Sequence, residues 1–111
     1  MQKINITKIL DNSREFDCQR LLIDYFNKHT YFFWSWAPNM YTIVDMKCLS
    51  FNVSGSKHAG KVFIVLNNLD LFDVYLTTDE GFIKKELKGI FVDHLFEVMD
   101  NHIEGTKFHL N

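Results

Sequence analysis

The sequence predicts one α+β domain: a four- to five-stranded, mostly antiparallel meander sheet with a C-terminal amphipathic helix and an N-terminal helix packed on it. Three observations carry this. Val62–Leu66 is an unbroken apolar run rich in β-branched residues, too short for an ordinary helix and suited to a strand covered on both faces. Phe72–Thr77 alternates, with Phe72, Val74 and Leu76 on one side and Asp73, Tyr75 and Thr77 on the other. Ile90–Glu104 carries an amphipathic helical pattern, with Phe91, Leu95, Val98, Met99 and His102 on a broad apolar face widened by Val92, Phe96 and Ile103.

Taken in order, residues 1–11 fit a short strand or a helical turn, and Ile6, Ile9 and Leu10 favour the turn. Asn12-Ser13-Arg14-Glu15 reads as a capping box with Asn12 as N-cap. A helix is therefore expected over about 13–28, with Cys18, Leu21, Leu22, Tyr25 and Phe26 inward and Asp17, Arg20, Asp24 and Asn27 opposite. Thr30–Trp36 is aromatic and lacks helix signals, which predicts a strand at 30–36 ending before Pro38. Tyr41–Val44 is β-prone but short. A strand at 47–54 follows, with Leu49, Phe51 and Val53 inward. Ser54–Gly60 is the longest loop. Strands at 61–67, 71–78 and 82–88 are separated by turns at Asn67–Asp70 and Thr78–Gly81. Lys84, Lys85 and Glu86 suit an edge strand, where charge discourages pairing with another chain. The last helix spans about 90–104, with Gly105 as C-cap and 106–111 as a frayed tail.

The chain has 111 residues, a length for one domain. Hydrophobic residues make up 47% and charged residues 23%, a globular composition, and a net charge of −2 gives no global attraction to nucleic acid or anionic membranes. There is no basic leader followed by a long apolar stretch and no eighteen-residue apolar span, so a cytoplasmic protein without membrane partners is expected. Cys18 and Cys48 are the only cysteines. Their separation fits no metal motif, and both read as buried thiols in a reducing compartment. No histidine pair has metal-ligand spacing, no glycine loop has the phosphate-binding form, and no nucleophile has a companion base at a recognisable spacing. No metal, cofactor or catalytic residue is predicted, and Asp70 and Asp73 are read as turn-forming and edge-facing.

Two surface constellations remain. Asp93, Glu97, Asp100 and Glu104 fall on one narrow helical arc, a docking face for a basic partner or a solvated surface. The run Tyr31–Trp36 with Tyr41 supplies aromatic residues, among which Trp34, Trp36 and Tyr41 are the candidate contacts if exposed, since Trp and Tyr anchor protein interfaces. The reading this supports is a small non-enzymatic protein-interaction module. The alternative is a single-stranded nucleic-acid binder that stacks bases on the aromatic strand 31–36, with Lys47, Lys57, Lys61, Lys84 and Lys85 on phosphates. A second copy of the chain, paired through the edge of 62–66 or through the aromatic strand, is a further partner the sequence leaves open.

The segments LNNLDLFDVYL (66–76) and KGIFVDHLFEVMDNHI (88–103) resemble small uncharacterised bacterial proteins tied to phages and mobile elements, in which an LNG-DLYD hairpin precedes a GVY-DQL helix. The likeness covers about the last two-thirds of the chain. Asn68 stands where that pattern favours Gly, and His94 where it favours Gln. The resemblance implies a compact strand-strand-strand-helix unit with an accessory or inhibitory role, and no activity, cofactor or catalytic residue.

Overall fold

The structure is a computed structural model that describes residues 2–28 and 35–105, with 25–27 as backbone only. The predicted strand at 30–36 lies mostly outside these residues, as do Trp34 and the tail; Ser35 and Trp36 are helical and turn residues rather than strand. The elements are α1 (Ile6–Asp11), β1 (Ser13–Arg14), α2 (Cys18–Lys28), β2 (Asn39–Val44), β3 (Cys48–Ser54), β4 (Ala59–Asn67), β5 (Phe72–Thr77), β6 (Ile83–Ile90) and α3 (Val92–Ile103).

Strands β2 to β6 form an antiparallel meander in the order β2-β3-β4-β5-β6, and β1 adds two residues to β4, opposite Leu66 and Asn67. The α+β fold is the one the sequence predicts. Val62–Leu66 lies in the central strand and not at an edge, since β4 is hydrogen-bonded to β3 and to β5. A dimer through that edge is excluded by this pairing. The charged strand β6 is an edge, as its lysines required, and β2 is the other edge.

Alternation sorts the side chains into two cores. Leu49, Phe51, Val53, Val62, Ile64, Val74 and Leu76 face a layer made by Cys18 and Leu21 of α2, by Trp36, and by Leu95, Phe96, Met99 and Ile103 of α3. The opposite face carries Cys48, Val65 and Tyr75, covered by Leu10 with Ile6 and Ile9 of α1. This second layer explains why all six residues of β5 are buried, where alternation alone predicts a half-exposed strand.

Helix α2 starts later than the capping box implies. Asn12 is the C-cap of α1, with its backbone N–H directed to Ile9 and Leu10 carbonyls. Asp17 caps α2 instead, its Oδ1 accepting from the Arg20 N–H at 2.9 Å. Asn is favoured at both helix ends by the same local hydrogen bonding, so the preceding helix decides which end it serves. Phe91, placed by periodicity on the apolar face, is the N-cap residue of α3 and is 65% exposed.

Candidate functional site

The aromatic and acidic candidates separate sharply. Trp36 is fully buried, stacked between Phe96 (centroids 4.8 Å apart) and Phe51 (6.4 Å). Its Nε1 donates to Asp100 Oδ1 at 2.7 Å, and Asp100 is fully buried as well. The acidic arc is therefore broken: Asp100 points inward to satisfy the indole, because a buried N–H without an acceptor costs far more than the bond itself contributes. Glu104 is also engaged, its Oε1 accepting from the Ser56 N–H at 2.9 Å. Of the four acids on the arc, Asp93 and Glu97 are the two that stay exposed, and neither is in an ion pair among the described residues. Trp36 and Asp100 are a core pair and not contact residues.

Tyr41 stays on the surface. It is 45% exposed, rests on the rim of Phe51 with centroids 5.8 Å apart, and its hydroxyl reaches the Pro38 carbonyl at 3.4 Å. Partial burial holds its hydroxyl above the ordinary pKa of 10. Beside it Met40 is 74% exposed. A register shift sets these two residues: Asn39 opposes Asn52 and Thr42 opposes Ser50, so Met40 and Tyr41 together face the single residue Phe51. This is a β-bulge on an edge strand, a device that re-aims side chains and interrupts ladder pairing. Met40 takes a left-handed backbone (φ 56°), as does Ala37 (φ 49°). Such conformations cost roughly 1–3 kcal/mol in a residue with a side chain and persist where the surroundings enforce them, often at functional sites. The hairpin to β3 closes through Asp45 and Met46, both at positive φ, with Lys47 N–H on the Val44 carbonyl at 2.9 Å. Met46 at this turn is also exposed. The β2 edge thus displays Met40 and Tyr41 on a strand without charge, with Met46 in the turn that follows it. Sequence reasoning missed the two methionines; the signal for them is a strand lacking the charges that guard β6.

The remaining titratable groups are mostly accounted for structurally. Asp73 is buried and accepts from Asn67 Nδ2 (3.1 Å) and the Gly89 N–H (2.9 Å), closing a second bulge where Phe72 opposes Ile90 and Val74 opposes Leu87. It is a central-strand residue and not an edge-facing one. Asp70 sits in the β4–β5 turn at φ 61° and pairs with Arg14 at 2.6 Å. Burial pushes the Cys18 thiol to about 11 and the Cys48 thiol to about 12, so neither is a ready nucleophile. His102 Nδ1 lies 3.0 Å from the Val98 carbonyl. Among the described residues no three His, Cys, Asp or Glu side chains gather as a metal site.

The predicted lysines do not form a single track. Lys47 Nζ binds the Leu10 carbonyl at 3.3 Å, whereas Lys57, Lys84 and Lys85 line one groove beside β6 and the end of α3. Tyr41 on β2 is four strands away from β6, roughly 19 Å at the usual strand spacing. No helix among the described residues is long and apolar enough to cross a membrane. No family model matches the chain, and no curated protein or solved structure matches it.

Proposed function

We infer that the protein is a small protein-interaction module whose contact surface is the β2 edge. The observation that carries this is the bulge that turns Met40 and Tyr41 out together from an uncharged edge strand, with Met40 in a left-handed backbone. An exposed Tyr on a rigid support and a flexible Met are the side chains that anchor protein contacts. The opposite edge is guarded by lysines, so the two edges are not equivalent. The bulge disfavours addition of a long partner strand, and the partner implied is a folded surface with an apolar pocket that accepts the Tyr41 ring. Asp93 and Glu97 on α3 are what remains exposed of the acidic arc. An accessory or inhibitory role of phage or mobile-element origin rests on the motif resemblance and forms part of the same proposal.

The test is affinity capture from the lysate of the source organism, with and without nuclease, using wild-type chain and Tyr41→Asp. A protein band that survives nuclease and is lost with Tyr41→Asp supports the reading. Equal recovery by both baits overturns the β2 surface. Retained nucleic acid, with bands lost on digestion, favours the single-stranded nucleic-acid reading instead, which has less support because Trp36 is buried, Lys47 is held by the Leu10 carbonyl, and Lys84 and Lys85 lie on the far edge.

A further inference from the structure

We propose that the groove between β6, the start of β4 and the C-terminal end of α3 binds a small phosphate-bearing anion. The groove has a volume of about 430 Å³, and its lining includes Lys57, His58, Lys84, Lys85, Asn101 and His102. That size is in the range of small-molecule sites. No carboxylate lines it, although the chain as a whole is net acidic. Three lysines meeting at one concave spot concentrate positive potential that the overall charge conceals.

The backbone builds this convergence. Consecutive residues of a regular strand point to opposite faces. Here Leu76 opposes Lys85 while Thr77 opposes Ile83, so Lys84 is the extra residue of a bulge. The bulge brings Lys84 and Lys85 to the same groove. A solvated edge would be served as well by lysines on alternate faces.

The end of a helix is ordinarily hostile to anions, because its free carbonyls carry partial negative charge. In this protein three of the carbonyls at that end already have donors. Ile103 O accepts from the Lys57 and His58 N–H groups at 2.9 and 3.1 Å. Asn101 O accepts from Lys57 Nζ at 3.2 Å, and Glu104 O from Ser56 Oγ at 2.7 Å. Lys84 and Lys85 stand in no ion pair among the described residues, so their charge is available.

The two histidines add directed groups. His58 is 3% exposed, and its Nε2 lies 3.1 Å from the Lys61 carbonyl, which accepts only. Nε2 therefore carries the hydrogen, and Nδ1 has no partner among the described residues. His102 uses Nδ1 on Val98, which leaves its Nε2. In its singly protonated form a phosphate donates its hydroxyl to one such nitrogen while its anionic oxygens accept from the lysine ammonium groups. An extended polyanion is less suited, since the cations meet at one spot and not along a track.

The test is a titration of the full-length ¹⁵N-labelled chain, read by amide chemical shifts at constant ionic strength. The probes are inorganic phosphate, pyrophosphate and adenosine 5′-monophosphate, with chloride as the control. Saturable shifts confined to 55–61, 83–86 and 101–105 are expected, and Lys84→Gln/Lys85→Gln should weaken binding roughly tenfold or more. Lys47→Gln, away from the groove, should leave it unchanged, and a thermal melt of each variant checks folding. Stronger binding of phosphate or pyrophosphate than of the monophosphate assigns free phosphates. The reverse order assigns an organic phosphate ester. Non-saturating shifts, shifts elsewhere, or affinity unaltered in the double variant overturn the proposal. So does a short single-stranded oligonucleotide that binds more tightly than all three probes and loses affinity with Lys47→Gln.

Discussion

Trp36 and Asp100, separated by 64 residues in the chain, meet in the core with the indole Nε1 2.7 Å from the carboxylate oxygen. The contact ties the segment entering β2 to the last turns of α3, and the Trp36 carbonyl, accepting from the Ser54 N–H at 2.7 Å, ties it to β3 as well. Removing one member takes this bond from the other inside the core. Asp100→Ala should destabilise the fold by about 2–4 kcal/mol, and Asp100→Asn by less, since the amide oxygen can still accept. In a double-mutant cycle with Trp36→Phe, equilibrium denaturation should show a coupling of about 1–3 kcal/mol. A loss below about 0.5 kcal/mol for Asp100→Ala would place the strength of the core elsewhere.

Gly55 sits at the tight approach of the β3–β4 loop to α3. A Cβ there would overlap the Ile103 carbonyl, which is backbone and has no rotamer to change. The carbonyl also anchors Lys57 and His58. Gly55→Ala should therefore cost more than about 2 kcal/mol, in the range of overpacked sites, and should lower the melting temperature clearly. Gly81→Ala is the useful comparison. A Cβ there meets only ordinary contacts at 3.7 Å or more, so its cost is confined to the left-handed backbone at φ 93°. Equal melting temperatures for the two variants would refute the steric account.

These two sites show where the sequence is legible. The alternation of Leu49, Phe51 and Val53 and the charges of β6 announce their places, because each depends on a local period and a single face. Helical periodicity likewise puts Asp100 on one arc with Asp93 and Glu97. What turns Asp100 inward is Trp36, and a partner 64 residues away leaves no local trace. The same limit hides the second face of the sheet: alternation puts Asp73, Tyr75 and Thr77 on the side opposite Phe72, Val74 and Leu76 but does not show that the short helix α1 lays Leu10 over that side. The lysine groove is hidden too, since the bulge at Lys84 follows from pairing with β5 and not from the Lys-Lys dipeptide.

The two thiols give a prediction about reactivity. Both are fully buried, and burial is the main reason that Cys18 lies at about 11 and Cys48 at about 12. At neutral pH almost no thiolate exists on either, and reagents cannot reach the sulfur without opening the fold. Reaction with an aromatic disulfide reagent at pH 8 should therefore be slow in the native protein. It should reach two equivalents promptly in denaturant. Fast native labelling of one thiol would show a local opening near that residue.

The pH dependence of stability should carry the signature of His58. Burial lowers its pKa below the ordinary 6.5; the bond to the Lys61 carbonyl opposes this, the Lys84 charge adds to it, and Asp79 opposes it. Lys57, Lys85 and His102 line the same groove. The sign follows from proton binding. Between the folded pKa and 6.5 the unfolded chain holds a proton on this histidine that the folded chain does not. Stability from this group is then fully present above pH 6.5, falls as the pH drops through that window, and levels off once the folded form is protonated too. Denaturation from pH 7.5 to pH 5 should show the decline in the wild type. His58→Gln keeps a donor for the Lys61 carbonyl and removes the titration, so the difference between the two curves isolates the group. Parallel curves would mean that His58 takes up its proton equally in both states, and that the ring is more open to water than its 3% exposure implies.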